Sequence, residues 1–321
     1  MTRPSTLAVG AGALGAVLLV AFFKGSILGV LFGAMLSPLP LAMVALGLGT
    51  MFLPVAVVSG AVTVTVLTGS FMLAAIYLVV DAAPVAVIAR FVRASKEGAA
   101  PTGETIGKTV AVMTVGAVVL MAAGLLGMAP DAETAGGIEA LMRARLDELL
   151  AAAPAAANTG GVDLAAARAD LVRKLAGFLP GAAAWNWSLR VLVSAVLGQL
   201  MLKRMGLALV TTPAYTRFAV PTWSLLLFAG AAGVALILKG DAGFIAGNAA
   251  VALCLVPVFQ GLAVVHSLAG RLGYPRLALA GFYVFALRFS AVFLIVLITV
   301  GVVEHFYKLR SRFADPQSGG Q

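Results

Sequence analysis

Charged residues are scarce in this chain of 321 residues, where they make up 11% of the total. A soluble domain carries about 25%. Hydrophobic residues account for 61% of the chain, and the mean hydropathy is +1.05. These figures exclude a soluble globular protein. They predict an integral membrane protein whose surroundings are the lipid bilayer.

Residues that could carry chemistry are also few. The single cysteine, Cys254, lies in an apolar run, which excludes a disulfide framework and a cysteine-based metal site. The two histidines, His266 and His305, are far apart and have no thiol or paired carboxylates nearby, so we expect no metal and no cofactor. Phosphate-binding loops, Gly-x-Ser-x-Gly elbows and nucleophile–base clusters are missing from the sequence. We therefore expect no enzymatic activity.

The positive charge has a simple explanation. A net charge of +9 would point to nucleic acid in a soluble protein. Here the basic residues sit at the ends of apolar runs, as the positive-inside rule predicts, and no run of basic and aromatic residues resembles a nucleic-acid face. We therefore expect no nucleic-acid partner. The location that we expect is the bacterial inner (cytoplasmic) membrane, crossed many times.

The apolar runs predict an all-α fold, a polytopic transmembrane helix bundle with broken segments. They occupy residues 7–23, 27–49, 50–68, 71–89, 110–128, 188–202, 223–238, 244–266 and 277–303. The last run is about 40 Å long as a helix, too short to cross a ~30 Å core twice. Either this run is bent or re-entrant, or the tail is periplasmic. We favour a cytoplasmic tail and eight crossings, with nine if the last run is one straight span.

The middle of the chain differs in kind from the rest. Acidic and basic residues return there, with apolar residues at helical spacing and turn chemistry at Pro154 and residues 158–161. We predict an extramembrane amphipathic helical hairpin on the periplasmic side. The predicted division is residues 1–128 (N-terminal transmembrane helices), 129–184 (hairpin insertion), 185–305 (C-terminal transmembrane helices) and 306–321 (polar tail).

A break in the second apolar run marks the first place to look for a site. The run is interrupted by Ser37-Pro38-Leu39-Pro40, and neither proline can donate a backbone hydrogen bond. A broken helix at membrane depth is tolerated only where protein or a wet cavity covers it. Pro38 is therefore a candidate binding position.

Polar residues inside the apolar runs supply the other candidates. Ionisable residues at that depth are costly and indicate function. The candidate ligand-binding residues, besides Pro38, are Asp81, Asn248, Gln260, His266 and Arg288. Gln260 follows Pro257, whose ring frees a backbone carbonyl, whereas Asn248 and Gln199 more often serve as interhelical hydrogen bonds.

Two charged residues, Asp81 and Arg288, are predicted to form an intramembrane pair. By helical rise both lie well inside the basic edge, at similar depth. The alternative is that Arg288 marks a bend open to water while Asp81 lines a separate cavity. Arg190 is interpreted as close enough to a span entrance to snorkel to the interface.

The first run carries a face of small residues, Ala8, Gly12 and Ala16. Such a face permits close helix contact. Packing within the bundle is the favoured interpretation, and docking of another membrane protein is the alternative.

Three short patterns resemble the YybS-like family of multispanning bacterial membrane proteins. They are Ser37-Pro38-Leu39-Pro40, then Gln260-Gly261-Leu262-Ala263-Val264-Val265-His266, and Gly301-x-x-Glu304-x-Phe306-x-Lys308-x-Arg310-x-Arg312. The resemblance covers nearly the whole chain except residues 129–184. It implies a fold similar to the S-components of energy-coupling-factor transporters and to the rod-shape protein MreD. Those are vitamin-uptake subunits and a cell-shape scaffold component, so the resemblance does not choose between transport and assembly.

Two functions therefore stay open. The first is a small-molecule-binding transport subunit without its own energy source. The second is a structural or assembly protein that binds other membrane proteins. A binding subunit should have a closed polar pocket between Pro38, Asp81 and Gln260, whereas an assembly protein should have these positions packed dry.

Overall fold

The computed structural model describes residues 3–26, 29–93, 101–151 and 164–312, and every regular element in these ranges is helical. The predicted all-α bundle is therefore confirmed. The predicted hairpin turn at Pro154 and residues 158–161, and the end of the tail at residues 313–321, lie outside the described residues.

The helices, with labels used below, follow in chain order. They are α1 (Arg3–Phe23), α2 (Ala34–Leu36), α3 (Leu39–Met43), α4 (Leu53–Thr68), α5 (Phe71–Tyr77), α6 (Ala83–Arg93), α7 (Gly103–Gly127), α8 (Ala129–Ala135), α9 (Ile138–Ala151), α10 (Leu164–Ala176), α11 (Leu179–Arg204), α12 (Thr222–Ile237), α13 (Gly240–Leu253), α14 (Leu255–Ala269), α15 (Pro275–Arg288), α16 (Ser290–Tyr307) and α17 (Leu309–Arg312). Short π-helical turns occupy Gly29–Gly33, Val44–Leu48 and Leu78–Ala82, and 3₁₀ turns occupy Thr50–Phe52 and Tyr215–Arg217.

Length and composition qualify six of the described helical segments to cross a membrane. They are Arg3–Phe23, Thr50–Thr68, Phe71–Arg90, Gly103–Gly127, Gly240–Ala269 and Ser290–Tyr307. Leu39–Leu48 and Thr222–Ile237 are shorter apolar helices. The 26-residue helix α11 also runs through the bundle, with eleven buried residues.

Helices α1 and α4 pack antiparallel at close range. The Ser59 hydroxyl donates to the carbonyl oxygen of Val9 at 2.8 Å, and Gly12 faces the backbone of Ala56. A side chain at position 12 would collide with that backbone, so the small residue sets the helix separation. The face formed by Ala8, Gly12 and Ala16 is buried here. It is therefore covered by the chain itself and is not open to a partner, which corrects the docking alternative.

Helices α6 and α11 run in the same direction as α1. The turn at Gly69 reverses the chain after α4, so α5 and α6 return parallel to α1. Val80 contacts Trp187, and further along Ile88 lines a cavity with Val196, so α6 and α11 advance together. The end of the bundle at which α11 finishes, with Lys203 and Arg204, is called the basic end below.

The second apolar run forms a re-entrant hairpin instead of a crossing. Its first arm lies antiparallel to α1, because Gly29 faces the carbonyl group of Ala21 and Gly33 faces that of Leu18. That arm therefore climbs from the basic end into the bundle. Residues 27–49 were predicted to cross the membrane. They do not, because the second arm returns to the end at which the first arm begins.

The second arm returns to the basic end parallel to α11. Gly198 packs against Leu39, and Gly47 packs against Leu202 near the end of α11. The two arms meet at a turn formed by Ser37 and Pro38. The predicted irregularity of this segment is thus confirmed, and its apex lies deep among the helices, because Ser37 and Pro38 are both buried.

The last apolar run is bent. Helices α15 and α16 meet at Phe289, whose backbone (φ −122°, ψ 40°) leaves the helical region. Gly301 of α16 faces the carbonyl oxygen of Pro257 in α14, and Arg271 beyond α14 donates to the carbonyl oxygen of Arg310 at 3.1 Å. The pairing advances in one direction along both helices, so α14 and α16 are parallel. The basic residues on either side of the last apolar run, represented by Arg271 and Arg310, therefore lie at the same end of the bundle. This agrees with the predicted alternative in which the last run is bent.

The charged helices α9 and α10 pack together at the opposite end, where Arg168 Nε lies 2.9 Å from Asp147 Oδ1. They are attached to the bundle. Ile138 is 1% exposed and packs in one cluster with Phe244, while Asp241 accepts a hydrogen bond from the Ile138 backbone N–H at 2.7 Å. Helix α11 begins at Leu179, so the last residues of the predicted insertion belong to the bundle.

Candidate functional site

A buried ion pair lies at the apex of the re-entrant hairpin. Nη2 of Arg190 is 2.6 Å from Oδ1 of Asp81, with side-chain exposures of 8% and 0%. Nη1 of the same guanidinium lies 3.4 Å from the Ser37 hydroxyl at the apex. The predicted pair between Asp81 and Arg288 is therefore wrong. Arg288 is exposed at the end of α15, with its guanidinium 5.3 Å from the centre of the Phe289 ring.

Arg190 is deep because its helix starts early. The apolar run predicts a span at residues 188–202, which places Arg190 at its entrance. The helix in fact begins at Leu179, so Arg190 lies about 16 Å along it, by helical rise. A side chain at that depth does not reach the interface easily, and pairing with Asp81 compensates its charge.

A missing backbone donor explains why the pair forms beside Val80. Pro84 has no N–H, so the carbonyl of Val80, four residues earlier, lacks its α-helical partner. That carbonyl accepts hydrogen bonds from Trp187 Nε1 at 2.9 Å and from Arg190 Nη2 at 3.1 Å. The π-helical turn Leu78–Ala82 contains Asp81. Such turns often occur at functional sites.

Buried polar atoms of Tyr77 and Asp81 lie beside this ion pair. Among the described residues, the Tyr77 hydroxyl and Oδ2 of Asp81 have no hydrogen-bond partner. Both side chains are 0% exposed. Protein atoms surround the cluster, which joins the re-entrant hairpin, the turn before α6 and helix α11.

The buried amides hold irregular backbone in place. Asn248 accepts from the Gly181 N–H at 2.8 Å and donates to the Gly177 carbonyl at 3.1 Å, which joins α13 to the start of α11. Gln260 is 2% exposed and accepts from the Val220 N–H at 2.9 Å. Both were predicted to bind a ligand, and in the structure both amide atoms of Asn248 and the amide oxygen of Gln260 are hydrogen-bonded to backbone.

His266 lies in an aromatic cluster near the basic end. Its Nδ1 is 2.8 Å from the Leu262 carbonyl oxygen, and its Nε2 is 3.3 Å from the Tyr283 hydroxyl. The ring of Tyr215 packs edge-on against it. Within the ranges that the structure covers, no group of three or more residues among His, Cys, Asp and Glu is arranged to hold a metal ion.

The residues that carry the family resemblance have definite structural tasks. Ser37 and Pro38 form the apex of the re-entrant hairpin, Gln260 holds Val220, and Gly301 lets α16 approach α14. Glu304 and Arg310 form a second ion pair at 2.6 Å, with side-chain exposures of 5% and 17%.

The Arg310 guanidinium ties the tail to the loop before α12. It donates to the carbonyl oxygens of Thr216 and Phe218, the latter at 2.9 Å. The tail is therefore held at the basic end by three groups at once: Glu304 and the two carbonyls.

A large cavity lies between α6, α7, α11 and the loop that follows α11. Its volume is about 520 Å³. The walls are almost wholly apolar. Representative lining residues are Ile88, Ile106, Val110, Leu192, Val193 and Phe259. Polar groups lie toward the basic end, on Thr105, Thr109, Gln199, Thr212 and Tyr215.

The predicted site residues do not line this cavity. Pro38, Asp81, Asn248, Gln260, His266 and Arg288 are all absent from its walls. Sequence reasoning noted Gln199 but assigned it a structural role, and it had no signal for Thr212, which lies in a loop. A cavity is formed by side chains from distant parts of the chain, so no local pattern announces it.

Comparison with known proteins assigns a family. Neither the curated proteins nor the solved structures contain a match to this chain. One family model, described as "Predicted membrane protein (DUF2232)", matches residues 13–304, which is most of the chain. The match includes the first two patterns that carried the resemblance and the start of the third, up to Glu304. The chain is therefore a member of the DUF2232 family of membrane proteins.

Proposed function

We propose that this protein is a small-molecule-binding subunit of the bacterial inner (cytoplasmic) membrane that takes an apolar ligand from the bilayer. The observation that supports this most directly is the 520 Å³ cavity. Ligand pockets measure about 300–1,000 Å³ and are mostly apolar with a few placed polar groups. The cavity fits both criteria, whereas the ion pair of Asp81 and Arg190 is closed by protein atoms.

The re-entrant hairpin supports a role in transport. Transporters often use broken helices at membrane depth to build and gate sites. The second arm of the hairpin contributes Leu46 to the cavity wall, and its apex is held by Arg190. A movement of this arm would change the cavity. In this proposal the subunit has no energy source of its own and depends on a partner for it.

The orientation follows from charge. The basic end carries Lys203, Arg204, Arg271 and Arg310, and we propose that it faces the cytoplasm. The hairpin of α9 and α10 then faces the periplasm.

An assembly protein is the second candidate. It is favoured by the packing of Asp81, Asn248 and Gln260, whose polar atoms contact protein, as expected for dry positions. In that case the cavity would be filled by lipid without selectivity, and other membrane proteins would bind elsewhere.

The test is to fill the cavity. Val193→Trp places an indole in the wall, and Leu200→Trp is the matched control, because Leu200 lies on the same helix, is 43% exposed and does not line the cavity. Both variants and the wild type are purified in nanodiscs, and the bound small molecules are identified by native mass spectrometry. We expect a bound apolar molecule in the wild type and in Leu200→Trp, and its loss in Val193→Trp. An equal ligand content in all three would contradict the proposal.

A further inference from the structure

The cavity has one polar end, where two polar atoms of the described residues lack hydrogen-bond partners, and we call these the open atoms. They determine which hydrogen-bonding groups a ligand would need. Gln199 is 6% exposed, and its Nε2 donates to the Val210 carbonyl oxygen at 2.7 Å. This bond sets the amide orientation, because the flipped amide would bring two oxygens together. Among the described residues, Oε1 of Gln199 has no hydrogen-bond partner. It is a buried acceptor on a residue that lines the cavity.

A second open atom lies on the loop beside it. Within the described part of the chain, Oγ1 of Thr212 is buried and has no hydrogen-bond partner. Thr212 and Gln199 both line the cavity. A hydroxyl group can donate and accept. Gln199 therefore offers one acceptor, and Thr212 offers one hydroxyl group that can donate or accept.

The remaining polar groups of the wall are engaged. The Thr109 hydroxyl donates to the Thr105 carbonyl at 2.8 Å, and the Tyr215 hydroxyl donates to the Phe259 carbonyl at 2.8 Å. The Thr105 hydroxyl is bonded to that of Thr102 at 2.9 Å. An occupant therefore meets its open partners at Gln199 and Thr212.

The charge of the occupant follows from the wall. Tyr215 is the one titratable residue among the described residues that line the cavity, and its hydroxyl is engaged. A charged group buried there would meet no counter-charge on the described lining residues, which is costly. A neutral hydroxyl group has a donor for Gln199 Oε1 and can accept from Thr212 Oγ1 without a buried charge.

The length of the occupant follows from the helix that forms one wall. The lining residues of α11 extend from Gln199 to Leu189, about 15 Å by helical rise. The walls beyond Gln199 are apolar. We infer that this cavity binds a neutral amphiphile, a hydrocarbon chain that ends in a hydroxyl group, with the hydroxyl held by Gln199 and Thr212. The inference rests on the proposed function and adds the ligand class to it.

The test compares three probes of equal chain length: 1-dodecanol, dodecane and dodecanoate. Radiolabelled probe is measured on nanodiscs that contain the full-length protein, and the amount on empty nanodiscs is subtracted. We expect 1-dodecanol to bind at least about tenfold more tightly than either other probe, because only it satisfies both atoms without a buried charge. Equal binding of dodecane, or preference for dodecanoate, would overturn the inference.

Two variants assign the hydroxyl contact. Thr212→Val removes the hydroxyl and keeps the shape, so 1-dodecanol should bind about fivefold to tenfold more weakly, while dodecane binding stays unchanged. Thr212→Ser keeps the hydroxyl and should bind 1-dodecanol as the wild type does. If Thr212→Val binds 1-dodecanol like the wild type, the hydroxyl does not contact Thr212 and the inference is wrong.

The Val193→Trp variant separates this inference from the proposed function. Loss of all probe binding in Val193→Trp, without a preference for 1-dodecanol in the wild type, leaves the cavity as a ligand site and rejects the hydroxyl contact. Absence of specific binding of every probe to the wild type rejects both.

Discussion

Arg190 Nη2 and Asp81 Oδ1 lie 2.6 Å apart, although the two residues are 109 positions apart in the chain. The same guanidinium reaches the Val80 carbonyl and the Ser37 hydroxyl. One side chain therefore joins α11, the turn before α6 and the apex of the re-entrant hairpin. Its removal should affect all three.

Asp81→Asn should destabilise the protein by about 3–5 kcal/mol, because it leaves the Arg190 charge buried without its partner. The double variant with Arg190→Gln should recover much of this loss. The measurement is the thermal unfolding midpoint in detergent. Arg288→Gln is the control, since Arg288 is exposed, and it should behave as the wild type does. A double variant whose loss equals the sum of the single losses would show that the pair is not coupled.

Gln260→Leu should destabilise the protein by about 1–3 kcal/mol, because the buried N–H of Val220 loses its acceptor. Binding in the cavity should stay unchanged, since Gln260 does not line it. The two measurements are the unfolding midpoint and the binding of 1-dodecanol. A stable variant that has lost ligand would restore the original ligand-binding hypothesis for Gln260.

Gly301→Ala should separate α16 from α14, because a methyl group at this position would overlap the carbonyl of Pro257. We expect a loss of about 1–3 kcal/mol from overpacking. Gly233→Ala in α12 is the matched control. It meets nothing within 4 Å, so it should stabilise its helix by about 0.5–1 kcal/mol. Effects of the same sign in the two variants would contradict the close packing.

The re-entrant hairpin can be tested by labelling in a Cys254→Ala background. Lys24→Cys and Met51→Cys flank the hairpin and should both react with a membrane-impermeant maleimide from the same side. The reason is that the first arm begins at the basic end and the second arm returns to it. Phe71 follows the turn at Gly69, at the end of α4 that is opposite to the basic end. Phe71→Cys should therefore react from the other side of the membrane. If residues 29–48 crossed the membrane, Lys24→Cys and Met51→Cys would react from opposite sides.

Removal of the Asp241 side chain tests how the charged hairpin is attached. Asp241→Ala leaves the Ile138 N–H without its acceptor and should cost about 0.5–2 kcal/mol, the range found for lost helix caps. The loss should appear first as increased proteolysis between α8 and α9. The transmembrane helices should stay intact, because the cluster around Ile138 is separate from the main core. Glu133→Ala, at an exposed position of α8, is the comparison, and an equal cleavage rate in both variants would argue against the cap.

Composition alone determined the class of this protein. With so few charged residues, the chain cannot hydrate a soluble surface, and only helices satisfy their backbone within an apolar run of this length. The positions of most apolar helices, the irregularity at Ser37 and Pro38 and the separate character of the charged segment follow from patterns that are local in sequence. The bend in the last run was one of two options, since its length was incompatible with two full crossings.

The tertiary structure decided which residues meet. Arg190 and Arg288 look alike in sequence, each a single cation in an apolar run, and depth along the helix distinguishes them only when the start of α11 at Leu179 is known. The amides of Asn248 and Gln260 form hydrogen bonds with backbone, because irregular segments from elsewhere in the chain supply the partners. The cavity, with its open atoms on Gln199 and Thr212, exists only where α6, α7, α11 and a loop leave space between them. Packing voids depend on the shapes of side chains from distant segments, and that information is not local in the sequence.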